Sequence, residues 1–220
     1  MLKKSLFGTI QLFVIAAAAA CGEGAAPGDE AHVDSTSTGL QTERHCLVRM
    51  EPGDTAGAPA KLSPMTCYRS ISEVISAATH GRVVLPATTK ASELNEMMLR
   101  AAGYDDDTAA VTASYLVGTD YADSNFGGES YTWTASVPCY DRFTGASYTL
   151  YAPSMPDGWD NRISSVKTYQ YCRSTTVYDY TNQGGISMVT GCESPSLSWM
   201  DNRASSRSWS RDSYGTYCWF

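Results

Sequence analysis

Asp160-Asn161-Arg162-Ile163-Ser164-Ser165 and Asp201-Asn202-Arg203-Ala204-Ser205-Ser206 are two copies of one pattern, Asp-Asn-x-x-Ser-Ser, in a chain of 220 residues. Each copy places carboxylate, amide and hydroxyl oxygens within six residues and runs into a strand-like stretch. Hard oxygen donors on a short loop are what Ca²⁺ requires. The bland alternative is a pair of Ser-rich turns, because Ser is abundant throughout the chain. The recurrence of the pattern, with matched sequence upstream of each copy, argues against it.

Upstream of the first copy stands Tyr121-Ala122-Asp123-Ser124-Asn125-Phe126-Gly127-Gly128, and upstream of the second Tyr178-Asp179-Tyr180-Thr181-Asn182-Gln183-Gly184-Gly185. Each reads as a strand end entering a tight arch. The glycines permit positive φ where a side chain would clash, and the aromatics pack over the fold-back. An arch, then strands, then Asp-Asn-x-x-Ser-Ser therefore forms a unit that occurs twice.

These paired motifs resemble those of the microbial βγ-crystallin-like family, whose calcium signature reads Asn/Asp-Asn/Asp-x-x-Ser/Thr-Ser. The resemblance spans about Thr112 to Trp209. It implies two Greek keys forming one β-sandwich, each loop supplying oxygens to one Ca²⁺, and an arch carbonyl from the opposite motif completing each shell. Carried over by position, the first site would use Asn161, the Arg162 carbonyl, Ser164 and the carbonyl of Asp179. The second would use Asn202, the Arg203 carbonyl, Ser205 and the carbonyl of Ala122. Asp160 and Asp201 would hold the loops by hydrogen bonds or ligate through water.

The two units are not identical. Tyr121 precedes Asp160 by 39 residues, whereas Tyr178 precedes Asp201 by 23. The extra length is assigned to a turn-rich insertion at 138–146 that contains Cys139 and Gly145. Ala204 and Arg207 stand where the first unit has Ile163 and Val166, which is expected to weaken the inward face of the last strand.

Residues 1–20 read as an export signal, with Lys3 and Lys4 ahead of an apolar run from Leu6 to Ala20 that is short for a membrane span. Cys21 follows three alanines, as in a bacterial lipobox. Lipid attachment at Cys21 leaves six cysteines, an even number for an oxidising compartment; ordinary cleavage releasing a soluble protein is the other reading. Residues 21–41, rich in Gly, Ala, Ser and Thr, read as a flexible tether. The expectation is an exported lipoprotein on the cell envelope or outside it, touching the membrane only through its N-terminal lipid. The formal charge of −7 becomes −9 once the two leader lysines are removed, and an acidic surface argues against nucleic acid as a partner.

Residues 42–104 differ in character from 111–220, and the expected architecture is mainly β, a two-Greek-key sandwich preceded by a small α+β segment. Cys46–Met50 reads as a strand. Ser70-Ile71-Ser72-Glu73 is a capping box, and Ile71, Val74, Ile75 and Ala78 keep helical spacing. Arg82–Pro86 resembles a strand. A helix is expected from Ser92, with Leu94, Met97, Met98 and Ala101 on one face. Asp105-Asp106-Asp107 reads as a solvated loop. Beyond Val111 the helical period gives way to short aromatic and β-branched runs, the signature of a sandwich. Trp159 and Trp199, each just before a loop, are expected to pack beneath it.

A Cys46–Cys67 bridge would staple the smaller segment. Cys139–Cys172 and Cys192–Cys218 would place one bridge in each Greek key, although four cysteines allow three connectivities. No nucleophile elbow, His-Glu-x-x-His or Cys-x-x-Cys occurs, so a non-enzymatic, calcium-stabilised module is expected. A secreted metalloproteinase inhibitor presenting the insertion beside Cys139 is the alternative, and a protease or cell-surface partner stays open.

Overall fold

The computed structural model describes residues 43–51, 53 and 58–211. All of these lie in one compact unit, Leu40–Phe220. The expected signal, tether and Cys21 fall outside the described residues, as does Cys218.

Eight strands form two Greek keys. The first comprises β4 (Tyr115–Tyr121), β5 (Ser130–Ala135), β6 (Leu150–Ala152) and β7 (Ser165–Thr168). The second comprises β8 (Ser174–Tyr178), β9 (Ser187–Thr190), β10 (Glu193–Ser194) and β11 (Ser206–Ser210). The third strand of each key crosses to the other sheet: β10 pairs with β7, and β6 pairs with β11. The two halves are thereby interlocked rather than merely stacked.

The segment before them joins the first sheet. Strand β1 (His45–Glu51) runs parallel to β5, with His45 opposite Ser130 and Met50 opposite Ala135. Two short strands, β2 (Lys61–Leu62) and β3 (Thr66–Tyr68), pair antiparallel with β1. The first sheet consequently has seven strands, against four in the second. Cys46 faces Cys67 across β1 and β3, and the two form a disulfide. Cys139 and Cys172 form the second expected bridge. Cys192 is disulfide-bonded as well.

Helices cover the outer face of the first sheet: α1 (Ile71–Ala78), α2 (Glu96–Ala101) and α3 (Asp106–Thr112). Ser70 caps α1, accepting from Glu73 N while Glu73 accepts from Ser70 N at 3.3 Å. This layer packs Val74, Ile75, Leu94, Leu99 and Tyr104 against Leu116, Tyr121 and Tyr169. A second core, between the sheets, includes Tyr131, Trp133, Trp159, Val166, Val177 and Trp209. The first sheet is thus covered on both faces, so β5 and β7 are buried at every position whereas β8 alternates. A strand buried on both sides carries no alternation to read.

Several local expectations change. Arg82–Pro86 is not a strand; Val83 and Leu85 are buried by the helical layer without a ladder partner. The helix expected from Ser92 is a single 3₁₀ turn at Ala91–Glu93 followed by α2, which restarts under an Asn95 cap accepting from Met98 N at 2.8 Å. That restart turns Met97 outward and Leu99 inward. The Asp105 run is not a solvated loop, because Asp105 caps α3 through Thr108 N at 2.7 Å. Asp106 is buried beside Arg142 at 3.0 Å.

Two buried cations tie the layers together. Lys167 Nζ donates to Ser92 O and Leu94 O at 2.9 Å each and lies 4.2 Å over the Phe126 ring. Arg207 fills the inward position that was expected to weaken β11. It pairs with Asp120 of the facing sheet and donates to Thr175 Oγ1 at 2.6 Å, while Asp120 also accepts from Trp133 Nε1 at 2.8 Å.

Candidate metal centre

The two arches have one backbone path. Positive φ recurs at Asn125, Phe126 and Gly128 in the first and at Asn182, Gln183 and Gly185 in the second. Ala122 N donates to Glu129 O at 2.9 Å, and Asp179 N donates to Ile186 O at 3.1 Å, closing each arch at its neck. The second glycine of each arch is required twice over. A Cβ at Gly185 would lie 1.9 Å from Asp179 Oδ1, and one at Gly128 would lie 2.6 Å from Asp123 Oδ2. Both also have φ near +73°, where L side chains are strained.

The Ser-Ser loops dock on these arches through matched contacts. Ser164 N donates to Tyr121 O at 2.9 Å and Ser205 N to Tyr178 O at 2.8 Å. Ser165 Oγ donates to Asp123 O at 2.6 Å and accepts from Phe126 N at 3.0 Å. Ser206 Oγ donates to Tyr180 O at 2.6 Å and accepts from Gln183 N at 3.0 Å. The second serine of the pattern is therefore the arch's internal strut.

The loops also lock to each other. Asn161 N donates to Ala204 O and Asn202 N donates to Ile163 O, each at 3.0 Å. Both asparagines have left-handed backbone, φ 56° and 53°, a conformation that Asn tolerates better than most residues. Each amide nitrogen donates to the preceding aspartate, Asn161 to Asp160 at 3.2 Å and Asn202 to Asp201 at 3.3 Å. The amide oxygens are thereby turned the other way. In one loop the result is visible directly: Ser205 Oγ donates to Asn161 Oδ1 at 3.5 Å.

This geometry rearranges the expected ligand sets in one respect. The expected first set joined Asn161 and Arg162 with Ser164 and the Asp179 carbonyl. Ser205 rather than Ser164 sits on the arch that carries Asp179, and it is Ser205 that meets Asn161. Ser164 sits on the arch that carries Ala122. The sequence could not show this, because a carry-over by position keeps each loop together, whereas the interlocked loops exchange their serines.

The arginine side chains turn away to carboxylates. Arg162 pairs with Glu129 and stacks 4.8 Å over Trp159, while Arg203 Nη2 donates to Asp179 Oδ2 at 3.1 Å. Glu129, bonded first by Arg44 and then by Arg162, has its carboxyl held below the usual range. Sequence reasoning missed Glu129, although its place directly after Gly-Gly marks the arch exit. Trp159 packs against Tyr131 beneath the first loop as expected. Trp199 does not: it is 51 % exposed, and Met200 is the buried residue beneath the second loop.

The centre offers neutral amide, hydroxyl and carbonyl oxygens with Asp160 and Asp201 at its edge. Among the described residues no group of three or more His, Cys, Asp or Glu side chains converges. Also among the described residues, the carbonyls of Ala122, Arg162, Asp179 and Arg203 accept no hydrogen bond. Oxygen donors of this kind are the ones a hard cation takes.

Two Greek keys that exchange their third strands and interlock their Asp-Asn-x-x-Ser-Ser loops define a βγ-crystallin-like fold, and residues 115–210 have it. No family model and no curated protein matches the chain. Among solved structures, it is similar to a βγ-crystallin from an archaeon, at 26% identity over 42% of this chain and 94% of that one, with a TM-score of 0.30. It is also similar to a βγ-crystallin domain from Clostridium beijerinckii, at 16% identity over 44% and 99%, TM-score 0.30. A third is a clostrillin double mutant in complex with nickel, at 15% identity over 43% and 97%, TM-score 0.31.

Proposed function

We propose that the Greek-key half is a non-catalytic calcium-binding module, carried by an exported protein anchored through lipid at Cys21. One cage comprises Asn161, Ser205 and the carbonyls of Arg162 and Asp179. The other comprises Asn202, Ser164 and the carbonyls of Arg203 and Ala122, with Asp160 and Asp201 steadying each loop. The observation that carries this reading is the reciprocal locking of the two loops, which brings oxygens from both halves to each arch mouth. The 3.5 Å between Ser205 Oγ and Asn161 Oδ1 also suits the purpose. Adjacent oxygens of a Ca²⁺ shell with bonds of about 2.4 Å lie roughly 3–3.5 Å apart.

A cation bound there cross-links the two keys and stabilises the fold by linkage. At ten times Kd each site contributes about 1.4 kcal/mol, and sites of this extracellular kind bind at about 10⁻⁴–10⁻³ M. Calorimetric titration with Ca²⁺ tests the reading, with two sites expected. Asn161→Ala and Ser205→Ala should each remove the same single site, leaving the other. Loss of opposite sites by these two substitutions, or an unchanged melting transition with calcium and with chelator, refutes it.

The inhibitor alternative rests on the insertion at 138–146, tied down by Cys139–Cys172 and exposing Phe143 at 64 %. A metalloproteinase panel at micromolar protein decides it.

A further inference from the structure

Beside the first arch lies a cavity of about 510 Å³ between the helical layer and the first sheet, lined by none of the proposed cage residues. That volume falls in the range of small-ligand sites. Its floor and walls come from three places: the start of α1, the stretch 87–92, and the outer side of the arch at Phe126–Gly128.

Its polar groups are unevenly charged. Arg69 and Lys90 both line it, and among the described residues neither side chain has a carboxylate partner. Their backbone nitrogens, by contrast, are capped by Glu73 and Glu93, so the two segments that carry these cations are held in place. His45 is a wall residue only 6 % exposed. Its Nδ1 bonds Ser130 Oγ at 2.9 Å, which leaves Nε2 for the cavity. Burial lowers the pKa of this imidazole and keeps it neutral, so it serves as a hydrogen-bonding group rather than a third cation.

The apolar part of the lining comes chiefly from Phe126 and Ala87, with Ser70, Thr89 and Ser92 interspersed and Ile71 and Ala91 largely buried behind it. Glu43 also lines the cavity, which disfavours a dianion and fits a ligand with a single negative charge. A planar guanidinium prefers a carboxylate, which it can bind through two parallel bonds.

From the two unpartnered cations, the buried imidazole and the apolar wall, we propose that this cavity is a binding site for a small aryl- or alkyl-carboxylate. The carboxylate sits between Arg69 and Lys90, and the apolar body lies against Phe126.

The test uses the full chain in EDTA, so that its outcome does not depend on calcium. The probe is 3-phenylpropionate, with neutral 3-phenylpropanamide as its partner, each followed by ligand-observed NMR up to about 10 mM, the weak end of specific binding. The carboxylate should bind at least about tenfold more tightly than the amide, since a charge-assisted pair is the stronger bond. The double variant Arg69→Gln/Lys90→Gln should abolish that preference without changing the melting transition. Ala87→Trp, which fills the cavity from an exposed position, should abolish binding of both probes. No binding of either probe to the wild type, equal binding of the two, or undiminished carboxylate binding in the double variant overturns the proposal.

Discussion

Ser206→Ala is the substitution that most directly tests how the arch is built. Ser206 is fully buried, and its hydroxyl both donates to Tyr180 O at 2.6 Å and accepts from Gln183 N at 3.0 Å. Alanine removes one hydroxyl and leaves two backbone groups of the arch without partners. Each hydrogen bond contributes about 1 kcal/mol net, and stranding a buried partner costs about 1–3 kcal/mol. The expected destabilisation in EDTA is therefore about 2–3 kcal/mol. For a domain of this size each kcal/mol shifts Tm by roughly 2–4 °C, giving a fall of roughly 4–12 °C. Calcium should then recover less than it does in wild type, because the arch that carries the Asp179 carbonyl is loosened. Chemical denaturation with and without Ca²⁺ measures both quantities. The equivalent change, Ser165→Ala, breaks bonds of 2.6 and 3.0 Å and should lose a similar amount in EDTA. A loss below about 0.5 kcal/mol in both variants, the scatter expected of an ordinary surface site, refutes the strut reading.

Arg207→Met leaves the buried Asp120 carboxylate with Trp133 Nε1 as its remaining named donor and should cost about 3–5 kcal/mol, whereas Arg207→Met with Asp120→Leu should recover most of that loss; a neutral single variant by urea denaturation would sink this. The His45 pKa is lowered, chiefly by burial and against the opposing pull of Glu43 and Glu129. The unfolded chain therefore binds more protons than the native one as pH falls through about 6.5. Stability is full above that value and declines below it, so His45→Gln should flatten the slope between about pH 5 and 7, read from denaturation midpoints.

Much of this was legible in the sequence because it was local. The arches announced themselves through Gly-Gly and the aromatic frame, since only glycine avoids the carboxylates of Asp123 and Asp179. The capping box at Ser70 and the bridges Cys46–Cys67 and Cys139–Cys172 formed as read. The expected strand at Cys46–Met50 lies within β1, and the short aromatic and β-branched runs expected beyond Val111 form the Greek-key strands. Failures came where a neighbour outweighed the local pattern. Asn95 restarted a helix and rotated its face, Asp105 served as a cap rather than a solvated charge, and Trp199 gave its packing place to Met200.

The sequence by itself determined that a repeated arch and a repeated Asp-Asn-x-x-Ser-Ser loop exist, because turn geometry and left-handed asparagines depend on residues within one short stretch. Only the tertiary structure decided which serine faces which asparagine, that β1 extends the first sheet, and that Arg207 meets Asp120 inside the sandwich. Each of these depends on exchange between elements distant in the chain. A hydrogen bond or ion pair across sheets is set by where the strands cross, and no spacing along the sequence encodes that crossing.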